Sequence, residues 1–201
     1  NMWIAAMQEL KDPFKGQEET MARPAWQRLT AAAEKYNEPG RFTAIIGFEW
    51  TSGPNGDNLH RNVLFRDGKD KADQIIPLSF YDTGDPEDLW KWMAAWEQKT
   101  GGKLLAIPHN GNLSNGRMFP LTTFAGDAMT KQWAEDRQRW EPLFEAIQMK
   151  GQSESHPSLS TTDEFAVNYE LWDRGNLTQT PKKPGMIQYE YLREALKNGL
   201  K

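Results

Sequence analysis

The chain has 201 residues, 38% of them hydrophobic and 26% charged, with a formal net charge of -4 at neutral pH. That length supports one sizeable core, and the acidic balance excludes the basic stripe by which proteins hold nucleic acid. With no cysteine in the sequence, disulfides and thiolate-bound metals are excluded, so any metal falls to His, Asp and Glu.

The chain opens Asn1-Met2-Trp3-Ile4 and stops at Lys201 directly after a helix stop signal. It is therefore expected to be a single domain over residues 1–201, excised from the middle of a longer protein. No apolar run reaches the length of a membrane span, and no charged-then-apolar leader opens the sequence, so these residues are expected to be soluble. A helix is predicted from about Glu18 to Tyr36, with Trp26, Leu29, Ala33 and Tyr36 near helical spacing and Pro39-Gly40 ending it. Two apolar runs then follow. Phe42 to Phe48 leads to Glu49, and Lys103 to Pro108 leads to His109; both read as buried strands of a mainly parallel sheet with helices outside it.

Between those runs, Thr51 to Asn58 is a turn rich in Gly, Pro and Asn, and Arg61 to Phe65 reads as a further strand broken at Asp67-Gly68. The strongest helix signal is Asp85-Pro86-Glu87-Asp88, an N-cap, a first-turn proline and two first-turn acids, ahead of Leu89, Trp92, Met93 and Trp96 on one face and a stop at Gly101-Gly102. After the Asn/Gly loop Asn110 to Gly116, the predicted elements are a helix over Asp127 to Trp140, a strand over Leu143 to Met149 and a short helix over Ser160 to Tyr169. A polar loop, Pro181 to Gly185, precedes a last helix over Gln188 to Asn198 with Gly199 past its end. The nine tryptophans read first as core and interface packing, with a Trp-rich surface for glycans or peptides as the competing use.

Only three histidines occur. In open α/β sheets the site lies beyond the carboxyl ends of strands, so Glu49 and His109 are expected to point into one crevice, with His60 supplied from the strand it opens. A carboxylate at the end of an apolar strand also needs a partner, for which a metal ion and an arginine compete. His156, two residues after Glu154 in an extended loop, suits a ligand pair and a hydrogen-bonded clamp equally. None of the compact zinc patterns, such as H-E-x-x-H, is present.

Gly47-Phe48-Glu49-Trp50-Thr51, Asn58-Leu59-His60-Arg61-Asn62-Val63, Ile107-Pro108-His109-Asn110-Gly111-Asn112-Leu113-Ser114 and Lys150-Gly151-Gln152-Ser153-Glu154-Ser155-His156-Pro157 together resemble the bacterial family called domain of unknown function 3604. Pro86-Glu87-Asp88-Leu89-Trp90 and Arg193-Glu194-Ala195-Leu196 extend the resemblance over almost the whole chain. That family looks like a branch of the PHP (polymerase and histidinol phosphatase) superfamily, distorted β/α barrels that hold two or three divalent metals for phosphoester hydrolysis. The resemblance implies a partial barrel of that kind, Glu49 as a bridging carboxylate, and His60 and His109 as metal ligands. The superfamily pattern also calls for an H-x-H, an Asp-His pair and an Asp-x-His, none of which this sequence contains. The chain is then expected to hold only part of the metal site, to lack N- and C-terminal portions of its parent, and to be inactive alone.

The chemistry so implied is metal-assisted hydrolysis of a small-molecule phosphoester, with zinc, manganese or iron as the divalent ion and Glu49 and His109 at its centre. Arg61 and Lys150 are candidate phosphate contacts, Asn110 and Asn112 candidate anion-cradling positions in their loop, and Glu154 and His156 candidate substrate contacts. An amidohydrolase-like enzyme cleaving C–N or C–O bonds uses the same ligand types. Bacterial cytoplasm and periplasm both suit a chain of this composition.

Overall fold

The structure is a computed structural model that describes residues 11–200. Two compact units are present, one reaching to residue 50 and including 62–106, the other formed by 51–61 and the chain from 107 onward.

A three-stranded sheet is built from β1 (Gly47–Trp50), β2 (Arg61–Phe65) and β3 (Leu104–Pro108), with β2 in the centre. Its backbone bonds fix the direction of every strand. Phe65 N–H donates to Ile46 C=O and Leu59 N–H to Ser52 C=O, while Arg66 N–H donates to Lys103 C=O and His109 N–H to His60 C=O. Partners that run in opposite senses make both ladders antiparallel, which overturns the expected mainly parallel sheet and partial β/α barrel; no closed barrel exists among the described residues. For β1 and β2 the reason is readable in the chain: the connection from Trp50 to Arg61 is too short for a parallel crossover, which takes a dozen or more residues, usually with a helix.

Alternation along these strands separates two faces. Ile46, Phe48 and Trp50 share one face with Arg61, Val63 and Phe65 and with Leu104, Ala106 and Pro108, and nearly all of them are buried. The first unit packs its helices here. α1 (Arg23–Tyr36), entered through a π-helical turn Glu18–Ala22, contributes Trp26, whose ring lies 5.6 Å from Phe65 and 6.0 Å from Phe48. Only Trp26 and Thr30 of α1 are buried, and Leu29 and Tyr36, which share its helical spacing, are 44% and 59% exposed. Trp26 Nε1–H donates to Ala72 C=O at the end of the short helix α2 (Lys69–Ala72). α3 (Pro86–Thr100) follows the sequence signals closely: Asp85 accepts from Glu87 N–H, Pro86 begins the helix and Gly101 ends it at φ 67°. It buries Leu89, Met93 and Trp96 as expected, and Trp92 and Trp96 stand edge-on to Phe48 and Phe65 at 5.6 and 5.1 Å. The aromatic content thus serves packing in this unit.

The second unit is loop-rich. It contains α4 (Lys131–Trp140), capped by Thr130 rather than begun at Asp127, a hairpin of β4 (Ile147–Gln148) and β5 (Gly151–Gln152), and α5 (Leu192–Gly199) preceded by a 3-10 turn at Ile187–Tyr189. The strand expected over Leu143 to Met149 is therefore two residues long, sits outside the three-stranded sheet and pairs antiparallel with β5. Met149 at its turn is 90% exposed. The helix expected over Ser160 to Tyr169 is replaced by turns, in which Asp163 caps Phe165 N–H with its own carboxylate, a local bond that competes with helix formation. Among the described residues no helix is long and apolar enough to cross a membrane.

Candidate metal centre

The antiparallel register places Glu49, His60 and His109 on the face of the sheet opposite the aromatic core, and at one end of it. β1 finishes there, β2 starts there and β3 finishes there. Expectation and structure agree on which residues meet, though a meander, rather than a row of parallel strand ends, brings them together. One ligand atom from each of Glu49, His60 and His109 lies within 4.8 Å of the others, and this is the group suited to a metal ion among the described residues. The imidazole rings of His60 and His109 stand edge-to-face at 5.6 Å. Glu49 is exposed, His60 half-buried and His109 buried, so the cluster runs from solvent to interior.

Local structure orients each histidine. Asn58 Oδ1 accepts the His60 N–H at 2.8 Å, an Asx turn that ends the 51–58 connection, and His60 C=O accepts the His109 N–H at 3.3 Å. After His109 the chain turns sharply, with Asn110 in the left-handed region at φ 53° and Gly111 beside it. A Cβ on Gly111 would lie 2.4 Å from the Glu190 carbonyl oxygen, so only glycine fits there.

Two imidazoles and a carboxylate are a donor set that zinc, manganese and iron all accept. Ligand atoms sharing a tetrahedral ion at bonds of about 2.0–2.1 Å stand roughly 3.3 Å apart. From separations of up to 4.8 Å, side-chain rotations closing about 1.5 Å bring all three onto one ion, so the residues fit the group.

The other sequence candidates are engaged elsewhere. Arg61 is no surface phosphate contact: it is buried, its Nε–H donates to Glu141 at 2.9 Å, and both side chains are 2% exposed. Asn112 ties its loop to the β4–β5 hairpin, donating its side-chain N–H to Lys150 C=O at 2.8 Å and its backbone N–H to Ser153 Oγ at 3.2 Å, while Ser153 Oγ–H donates back to Asn112 Oδ1 at 2.9 Å. Lys150 lies in that hairpin's turn. Asn110 Oδ1 accepts from Gln148 Nε2–H at 2.9 Å. Glu154 pairs with Arg193 at 2.7 Å, and Arg193 also pairs with Asp163. His156 Nδ1 accepts Ser158 N–H at 3.2 Å and its Nε2 faces Asp173 at 3.4 Å, so the clamp reading, rather than a ligand pair, describes it.

Sequence reasoning passed over Asn58, although Asn two residues before His is a readable Asx signal, and Glu141, whose partner Arg61 is eighty residues away and gives no local sign. Near Glu141, burial pushes the Arg137 guanidinium below its ordinary range while Glu141 opposes the shift. Near Asn58, burial raises the Asp57 carboxyl against the pull of its bond from Asn176 and the charges of Arg117 and Lys182.

The family described as "Protein of unknown function (DUF3604)" matches residues 4–201. No curated protein and no solved structure matches the chain.

Proposed function

The chain belongs to the DUF3604 family, and on that premise we propose that it carries part of the centre of a divalent-metal-dependent hydrolase acting on phosphoesters. The observation that carries the reading is the approach of Glu49, His60 and His109 within 4.8 Å, supported by the likeness of their motifs to those of PHP metallohydrolases. His60 and His109 act as neutral imidazole ligands, and the exposed Glu49 supplies the carboxylate on the solvent side. A divalent ion held there would lower the pKa of bound water toward about 7 and would offset charge on a phosphoryl oxygen. Three protein ligands leave a coordination position open to water or substrate; a two-ion centre takes more groups than these.

The test is calorimetric titration of the chain with Zn²⁺ and Mn²⁺ beside His109→Ala, followed by a panel of phosphoester, carboxylester and amide substrates with the tighter-binding ion. One weakly held ion per chain, lost in His109→Ala, is the expected result, with no turnover by this chain alone. A binding signal that the substitution leaves unchanged removes His109 from the site, and turnover of amides alone replaces the phosphoester assignment.

A further inference from the structure

The peptide group joining Leu59 to His60 is held at both of its polar ends by side chains. Its N–H, on His60, donates to Asn58 Oδ1 at 2.8 Å, and its C=O, on Leu59, accepts from Arg61 Nη1–H. Orientation of that plane sets where the His60 side chain leaves the backbone. Arg61 does not reach back unaided: its Nε–H donates to one oxygen of Glu141 at 2.9 Å, while the other oxygen lies 3.4 Å from Arg137 Nε, and Arg137 Nη2–H donates to Met118 C=O at 2.9 Å. The line of contacts therefore runs from Met118, before α4, through the C-terminal end of α4, to the residue next to His60.

Stability alone is a poor account of this arrangement. Arg61 and Glu141 are each 2% exposed, and a buried ion pair commonly contributes less to stability than well-packed apolar side chains of the same size. What such a pair does supply is a fixed direction, because a guanidinium makes its bonds in a rigid plane. Alternation along β2 puts the Arg61 side chain on the face opposite His60, so the brace acts on the ligand from behind and leaves its ring clear.

We infer that Arg61, Glu141 and Arg137 are positioning residues that fix the His60 peptide and so aim its imidazole at the shared ion; the inference rests on the reading of His60 as a metal ligand. Partners that orient a metal-binding histidine typically contribute ten- to hundred-fold to metal affinity.

Arg61→Lys keeps a cation but loses the planar fork, and Glu141→Gln keeps shape and one acceptor but loses the charge. Each variant and the parent chain would be followed by Co²⁺ titration, by the visible absorption of the bound ion, by thermal unfolding and by NMR of the His60 amide and ring in the metal-free chain. The expected result is a roughly ten- to hundred-fold loss of Co²⁺ affinity, an altered absorption band and shifted His60 signals in a chain that remains folded. Should Arg61→Lys fail to fold, the milder Glu141→Gln carries the decision. Affinity within about twofold of the parent with unmoved His60 signals overturns the inference, even if the melting temperature falls. If the parent chain binds no Co²⁺, the hydrolase reading fails, and the His60 amide and ring signals still decide whether the brace holds the peptide: shifted signals support it and unmoved ones end it.

Discussion

Substituting Lys182 by Met is expected to destabilise the second unit by an amount that depends on pH. Lys182 Nζ donates to the Asn112 carbonyl oxygen at 2.7 Å and to both carboxylate oxygens of Glu190 at 2.7 and 2.9 Å. Glu190 is 0% exposed and the Lys182 side chain 9%, so methionine preserves much of the volume and removes the charge. Deleting one partner of a buried pair leaves the other uncompensated and costs about 3–5 kcal/mol. Glu190 keeps the bond it accepts from Gly116 N–H at 3.2 Å, which argues for the lower end, about 3 kcal/mol at neutral pH. Burial already raises the Glu190 carboxyl above the ordinary carboxylate range, against the pull of Lys182, and losing the lysine raises it further. An acid whose folded pKa exceeds its unfolded value binds a proton more readily when folded, so the folded state gains as pH falls. The penalty is therefore full above the folded pKa and fades as pH drops toward the unfolded value of about 4.3. Urea unfolding of both proteins at neutral pH and at about pH 5, with linear extrapolation, measures it. A difference below about 1 kcal/mol at neutral pH, or one equal at both pH values, refutes the reasoning that Glu190 is a carboxylate held buried by Lys182.

Gly102→Ala should destabilise the first unit by about 1–3 kcal/mol, because the new Cβ would stand 2.2 and 2.4 Å from ring carbons of Trp96, itself 1% exposed and packed on Phe65; an unchanged melting temperature would show that this ring can move aside. Asp85→Ala removes the acceptor of the Glu87 N–H, bonded at 2.8 Å, and should cost about 1 kcal/mol. Asp85→Asn, which keeps an acceptor, should restore most of it in the same denaturant titration, and equal losses in the two variants would assign the effect to something other than the cap.

Legibility followed the range of the interactions involved. The helix after Asp85 could be read to the residue because cap, proline, first-turn acids and terminal glycine all act within a turn of the positions they specify. The meeting of Glu49, His60 and His109 was legible for a related reason: each stands at the end of an apolar run, and runs of that length become strands. Strand direction was misread from the hydrophobic runs, although the length of the Thr51 to Asn58 turn carried the correct signal. Leu29 and Tyr36 obey helical spacing yet face solvent, since α1 touches the aromatic core mainly through Trp26. Arg61 shows the opposite limit. A guanidinium beside a histidine looks like an anion contact until Glu141 is found against it, and nothing within eighty residues of sequence announces that partner.

Because His109 N–H donates to His60 C=O, these two candidate ligands are cross-strand partners, and the distance between their backbones belongs to the ladder rather than to any loop. Length changes in the connections should then be tolerated unequally. Extra residues in the loop between α2 and α3 or in the 51–58 turn mainly add loop-closure entropy, which grows slowly with length. One residue inserted within β2 instead reverses the side-chain order of everything beyond it, so a strand still anchored by Phe65 would turn His60 toward the aromatic core and bring Arg61 to the ligand face. The spacing between His60 and Phe65 is thus a stretch where length itself constrains the geometry of the candidate site.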